Sequence, residues 1–279
     1  MITFDELGSL GRLGNQLFQY AAVRSLSLKC GYELALPDPK TKSWHGQNCL
    51  LRNFNIPTEF FREATGITHT FNEGGVVPHP HFFSVPDGTN LIGFYQSLYY
   101  FEEFAEIIRK ELTPQKSIME EANEFISSIR EEQGKPVVSI HVRRGDNASI
   151  NEREYGGMFS KDSDYFSYLK KAVSLFPNST FLVFTGGKRD EGDNQEDIDW
   201  CKDNLGIDAD YSNGTTIQDF SRMILCDHSI LSPLSSFGWW AGYLGIAKNK
   251  KTVAPFEYNP SDPSFKDRTD FYPKEFILL

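Results

Sequence analysis

The residues best suited to chemistry in this 279-residue chain stand in one run, Val137-Val138-Ser139-Ile140-His141-Val142-Arg143-Arg144-Gly145-Asp146. Two adjacent guanidiniums offer planar forks of donors that match phosphate oxygens. The imidazole before them and the carboxylate after them are groups that could move protons. Apolar residues alternate ahead of the charges as in a buried strand. The charges arrive where such a strand would leave its sheet, and in open α/β sheets ligands bind beyond the carboxyl ends of strands. The competing reading is a structural strand followed by a solvated, salt-bridged turn.

Two further segments carry anion-binding chemistry. Gly11-Arg12-Leu13-Gly14-Asn15-Gln16 opens a helical pattern, and a helix N-terminus offers free N–H groups to an anion while Arg12 and Asn15 add donors. A glycine turn before a structural helix is the rival reading. The segment does not match the dinucleotide fingerprint, and no strong strand precedes it. Ser235-Ser236-Phe237-Gly238-Trp239-Trp240 is a loop-to-helix junction whose hydroxyls could hold a phosphate or cap the helix. Two Asp-x-Asp triplets, Asp197–Asp199 and Asp208–Asp210, have a spacing that can hold a divalent metal, but both read as solvated surface in an acid-rich chain. His69, His79 and His81 sit in a Pro/Gly-rich stretch without a ligand pattern and read as loop histidines.

The elements that must position these groups follow from periodicity. Residues 12–29 read as a helix with Gly31 as its C-cap, and Tyr32–Leu36 as a strand. Residues 37–90 read as long loops with short elements. Helices are expected at 101–112 and 117–132, with a lobe boundary at Gly134–Pro136. Beyond it strands and helices alternate: strand 137–142, helix 164–176, strand 180–184, an acidic loop 188–199, a short helix 200–205, a helix 216–227 opened by a Thr216-x-x-Asp219 capping box, strand 229–232, helix 237–247 and strand 252–254. That rhythm means a parallel sheet covered on both faces, and right-handed crossovers place its strand C-termini on one edge. Arg143, Thr185 and Ser235 should therefore open onto one crevice. The domains read as 1–133 and 134–279, the extreme C-terminus being free to pack on the first lobe.

Composition sets limits. A formal net charge of −10 argues against nucleic acid as a partner without excluding a local basic pocket. Cys30, Cys49, Cys201 and Cys226 are far apart and form no CxxC pair, so free thiols in a reducing compartment are expected. The N-terminus is too short and polar for a signal peptide, and no apolar run reaches membrane-spanning length. These features are read as a soluble, cytoplasmic chain with no membrane span, a Golgi-luminal chain separated from its anchor being the alternative. Sequons at Asn147, Asn178 and Asn213 are read as chance triplets.

Together the motifs resemble glycosyltransferase family 11, the α-1,2-fucosyltransferases. The resemblance rests on Gly11–Tyr20, His141–Asp146, and Ser236-Phe237-Gly238-Trp239-Trp240-Ala241-Gly242-Tyr243-Leu244, with further matches at Gly93–Gln96, Trp200–Lys202 and Cys226–Ile230. They run in order over nearly the whole chain. The resemblance implies an α/β fold of GT-B type, two Rossmann-like lobes facing a cleft. It implies a GDP-fucose donor, no metal or other cofactor, inversion at the fucose anomeric carbon, and the 2-hydroxyl of a terminal galactose in a glycan as acceptor. By the same analogy Arg143 meets the β-phosphate and His141 the ribose or phosphate. Arg12 and Asn15 approach the donor from the first lobe, and Arg144, Ser235, Ser236 and Phe237 complete its binding. Inversion calls for a base on the acceptor hydroxyl. Asp146 and Glu152 are the candidates, Asp146 having a salt-bridging role as its alternative. The chain departs from the family at Thr185-Gly186-Gly187, where many bacterial members carry Ser-Asp-Asp, and at Pro233-Leu234, which replaces a more polar pair. The first departure leaves open how base and ribose are recognised at that edge. A protein O-fucosyltransferase-like enzyme, a non-catalytic nucleotide-sugar or glycan-binding protein, and a nicotinamide oxidoreductase are the rival functions. The last is weakened by the missing fingerprint.

Overall fold

The computed structural model describes residues 1–145, 164–186, 194–257 and 270–279. It is an α/β fold with two parallel sheets in two compact units. One unit holds Met1–Gln115 and a C-terminal stretch ending at Pro273; the other begins at Lys116 and takes Lys274–Leu279.

In the first unit, β1 (Ile2–Thr3) leads into α1 (Leu13–Cys30), which ends at Gly31 in the left-handed region (φ 71°), as its spacing predicts. The helix buries Leu17, Phe18, Tyr20, Ala21, Ala22, Val23 and Leu26, so it is enclosed on most sides rather than along one stripe. β2 (Leu34–Ala35) follows, then a two-stranded antiparallel hairpin of β3 (Ser43–Trp44) and β4 (Gln47–Asn48), then β5 (His69–Asn72) and β6 (Thr89–Ile92). The sheet order is β2-β1-β6-β5, all parallel. The helix expected at 101–112 is shorter: two 3₁₀ turns precede α2 (Ala105–Glu111), because the extended φ of −148° at Phe101 interrupts the pattern.

The second unit starts with α3 (Lys116–Gln133), so the expected boundary at 133/134 moves to 115/116. Periodicity identifies a helix but not the partner covering it. Here the partner is a later helix: the Arg222 guanidinium lies 3.9 Å over the Phe125 ring and donates to Glu121 at 3.2 Å, while Arg130 donates to Asp227 at 3.0 Å and to the Leu225 carbonyl at 2.7 Å. β7 (Val137–Arg143), α4 (Asp164–Ser174), β8 (Thr180–Gly186), α5 (Gln195–Asn204), β9 (Asp210–Tyr211), α6 (Thr216–Leu225), β10 (His228–Ile230), α7 (Ser236–Tyr243), β11 (Thr252–Ala254) and β12 (Ile277–Leu278) complete it. α5 reaches back into the stretch expected as an acidic loop, its Glu196 and Asp197 in the first turn, where carboxylates favour a helix start. α6 is capped one residue earlier than expected: Thr215 N–H donates to Gln218 Oε1 at 2.9 Å, closing the box.

The sheet order, β12-β11-β10-β7-β8-β9, reverses direction between β7 and β10. In doubly wound sheets that switch point opens the crevice where ligands bind. β7 is central and buried from Val137 to Val142, which is why it reads as a nearly continuous apolar run. Val138, Ile140 and Val142 pack on Tyr165, Tyr168, Leu169 and Ala172 of α4. Alternation therefore sends His141 and Arg143 to the opposite face.

Candidate active site

The carboxyl end of β7 sits at the switch point. His141 is buried, 5% exposed, with its ring against Phe237 of α7 at 5.6 Å between centroids. Its Nδ1 is buried without a hydrogen-bond partner among the described residues. Burial, helped by the charge of Arg143, holds the imidazole pKa down at about 3. At neutral pH His141 is thus an uncharged hydrogen-bonding group, and the positive charge on this face belongs to Arg143.

The two arginines part company. Arg143 N–H donates to Ser232 Oγ at 3.2 Å, tying the end of β7 to the segment after β10. Arg144 points the other way. Its Nε donates to Asp197 Oδ1 at 3.1 Å, and its guanidinium lies 3.9 Å over the Trp200 ring, both on α5. Gly145 N–H reaches the same Asp197 oxygen at 3.3 Å. The Arg144 guanidinium is thus engaged in an ion pair and a cation–π contact on α5. Asp197, read as solvated surface, is the partner in that ion pair. Asp199, Asp208 and Asp210 are exposed as expected.

The segment from β10 to α7 supplies the other wall. Leu234 takes a φ of 55°, unusual for a branched side chain. Ser235 is the N-cap of α7, accepting from Gly238 N–H at 3.2 Å. Phe237 packs on Phe220 of α6 at 5.2 Å as well as on His141. Gly238 is required by the close approach: a Cβ there would lie 2.9 Å from His141 Nδ1. His141, Arg143, Ser232, Ser235 and Phe237 are therefore gathered at one sheet edge, with Ser236 opening the helix beside them. At the neighbouring strand end, Asn194 Nδ2 donates to the carbonyls of Thr185 and Ser212 at 2.8 and 3.2 Å, clamping β8 to the chain after β9.

The first unit holds the second group of expected site residues. Arg12 is the N-cap position of α1, and Asn15 lies on its first turn. Gln16 donates to the Gly11 carbonyl at 2.9 Å; Gln19 donates to the carbonyls of Leu10 at 2.9 Å and Gly93 at 3.1 Å. Asn15 Oδ1 accepts from Gln96 at 2.7 Å. The Gly11–Tyr20 and Gly93–Gln96 motifs, 74 residues apart along the Gln19–Gly93 bond, are thus one local structure.

Asp146 and Glu152, the candidate bases, lie outside the described residues, as does the Asn147 sequon. His79 and His81 are bonded to each other, Nδ1 of His79 accepting from His81 N–H at 3.2 Å. Among the described residues no group of three or more His, Cys, Asp or Glu could hold a metal ion, and no helix is long and apolar enough to cross a membrane. The four cysteines are free; burial pushes the Cys49 thiol up to about 11 and those of Cys201 and Cys226 to about 12, so these three stay as thiols at neutral pH. The sequence reading missed the contacts of Ser232, Asp197 and Trp200. Trp200 lay in a noted motif, but nothing in one chain of letters pairs it with Arg144.

The family model for glycosyl transferase family 11 matches residues 6–279. Among curated relatives, galactoside alpha-(1,2)-fucosyltransferase 2 of Mus musculus is 25% identical over 85% of this chain and 67% of its own length. The Bos taurus protein of that name is 25% identical over 96% and 77%. The chain spans about two thirds of the mouse relative's length. Among solved structures, POFUT1 in complex with GDP superposes with a TM-score of 0.54 at 12% identity, covering 91% of this chain and 97% of that one. Fucosyltransferase NodZ from Bradyrhizobium gives 0.50 at 15%, covering 86% and 91%. At such identities the likeness is one of fold. The motif geometry and the family match over nearly the full length agree, and the chain belongs to glycosyl transferase family 11.

Proposed function

We propose that this protein transfers L-fucose from GDP-fucose, with inversion, to the 2-hydroxyl of a terminal galactose in a glycan. The observation that carries the reading is the convergence at the sheet's switch point of a neutral His141, the Arg143 strand end and the Ser232–Phe237 segment, in a family whose curated relatives are named galactoside alpha-(1,2)-fucosyltransferases. Cleavage of the bond between the fucose anomeric carbon and the phosphate oxygen leaves positive charge on the sugar and negative charge on GDP. Arg143 is the group to stabilise that departing charge, because its fork strengthens its hold as the diphosphate leaves. His141 and Ser236 add neutral hydrogen bonds, Phe237 an apolar wall, and Ser235 the helix cap that sets them. The family resemblance adds Arg12 and Asn15 as further candidate donor contacts. The galactose O2 forms the new bond to the anomeric carbon, and its proton goes to Asp146 or Glu152. No metal is needed in this scheme, since guanidinium and hydroxyl donors carry the charge.

The test is GDP release from GDP-fucose in the presence of EDTA, against a panel of β-galactosides that includes lactose, with NMR of the product. Fucose α-linked to galactose O2 is the expected result. A different linkage would overturn the acceptor assignment, and activity that collapses in EDTA and returns with Mn²⁺ would overturn the metal-free scheme.

A further inference from the structure

The Gly93–Gln96 turn is held harder than a loop needs to be, and it holds up one side chain. Gly93 has a φ of 147°, and a Cβ there would lie 2.7 Å from the Cβ of Glu73. Tyr95 has a φ of 53°, a left-handed conformation that is strained for an aromatic residue. The Glu73 carboxylate, 6% exposed, accepts the N–H groups of Phe94 at 2.9 Å and Tyr95 at 2.7 Å. Gln19 donates to the Gly93 carbonyl, and Gln96 donates to Asn15. The Tyr95 ring is fully buried among Phe4, Phe82 and Tyr100. Every part of the turn is thereby bound or buried, except the Phe94 ring, which is 42% exposed.

Strain that persists under so many restraints marks a conformation the surrounding structure over-determines, and such places cluster at ligand clamps. An exposed aromatic residue on a restrained backbone, two positions from a side-chain amide, suits a sugar: the ring takes the apolar C–H face while amides take hydroxyls. A galacto-configured pyranose has the matching shape, because its axial 4-hydroxyl leaves C–H groups of positions 3, 4 and 5 on one face. We infer that Phe94 is a stacking platform for a galacto-configured sugar ring, with the Asn15–Gln96 pair as the polar neighbour that orients it. The inference rests on the proposed fucosyl transfer and deepens it. Both the acceptor galactose and the fucose of the donor have this configuration, and the experiment separates them.

Phe94→Ala, Phe94→Leu and Phe94→Trp are compared with the wild type after melting curves establish folding. If the acceptor stacks, Phe94→Ala raises the acceptor KM about tenfold, the size of losing one aromatic contact, with GDP-fucose KM unchanged. If the donor's fucose stacks, GDP-fucose binding weakens about tenfold while GDP binding does not change. In either case Leu falls between and Trp restores function. Unaltered kinetics in an active Phe94→Ala enzyme would overturn the inference while leaving the transfer reaction standing. Saturation-transfer NMR with methyl β-galactoside and with L-fucose, free of turnover, keeps the two ideas separate should no transfer occur. Enhancement at H3, H4 and H5 of either sugar that vanishes in Phe94→Ala supports stacking. Enhancement that is unchanged, or absent in the wild type, refutes it.

Discussion

The two groups of candidate site residues are built in opposite ways. At the end of β7 the side chains stand on regular elements: a central strand buried as far as Val142 aims His141 and Arg143, and a capped helix aims Ser236 and Phe237. In the first unit Asn15 stands on a helix, but the Gly93–Gln96 turn it bonds to has no regular structure. That turn is positioned by side chains reaching carbonyls and by one buried carboxylate. The first design takes its precision from sheet hydrogen bonds and packing. The second takes it from a few polar contacts whose loss has no substitute. Regular elements thus tolerate sequence change around a site, whereas the turn concentrates its dependence in Glu73, Gln19 and Gly93.

Substitutions can break this contrast. The largest effect is expected at Arg143→Lys, where a point charge replaces a planar fork: kcat should fall about 100-fold or more with the melting temperature nearly unchanged. Near-normal turnover would remove Arg143 from its assigned place. Next comes Gly238→Ala, which drives a methyl group against a buried imidazole; a loss of about 1–3 kcal/mol in stability is expected, together with a fall in kcat, read by denaturant melts beside initial rates. If stability falls and rates do not, His141 is a packing residue. Glu73→Ala leaves the N–H groups of Phe94 and Tyr95 without their acceptor and should cost about 2 kcal/mol while raising a sugar KM in step with Phe94→Ala. Glu73→Gln, which keeps an acceptor oxygen, should recover part of both. Equal behaviour of the two variants would show that the turn does not depend on that oxygen.

The smallest effect concerns pH. Burial takes the His141 pKa from 6.5 to about 3 in the folded chain, so between those values the unfolded chain binds the extra proton. The stabilisation is present above pH 6.5 and is lost as pH falls toward 3. Asp219 works the other way: burial, against the Ser212 hydroxyl and Arg222, raises its carboxyl pKa from 3.8 to about 7, so its contribution is lost as pH rises through that range. His141→Gln should therefore flatten the decline in melting temperature on acidification, measured as the difference from wild type between pH 7 and 4. An identical slope would mean that the imidazole is accessible to protons in the folded state.

How much of this was legible differs between the same two regions. Strand β7 and helices α3, α4 and α6 could be read because a buried strand and an amphipathic helix each impose a period on their residues. The carboxyl-edge placement of Arg143 and Ser235 followed from crossover handedness. The division at 115/116 could not be read, because the apolar stripe of α3 does not say which helix covers it. Nor could the partners of Arg144 be read, because its ion pair with Asp197 and its contact with the Trp200 ring join it to residues more than 50 positions away.

The amino-acid sequence by itself determined the alternating βα rhythm of the second unit, the chemistry at the end of β7 and the family, because these depend on local period and on motif identity. Only the tertiary structure decided that His141 is held uncharged, that Asp197 is an anchor rather than a surface acid, and that a strained turn holds Phe94 to solvent. Each of those is a property of neighbours brought together from distant positions, and burial and electrostatics act through space rather than along the chain.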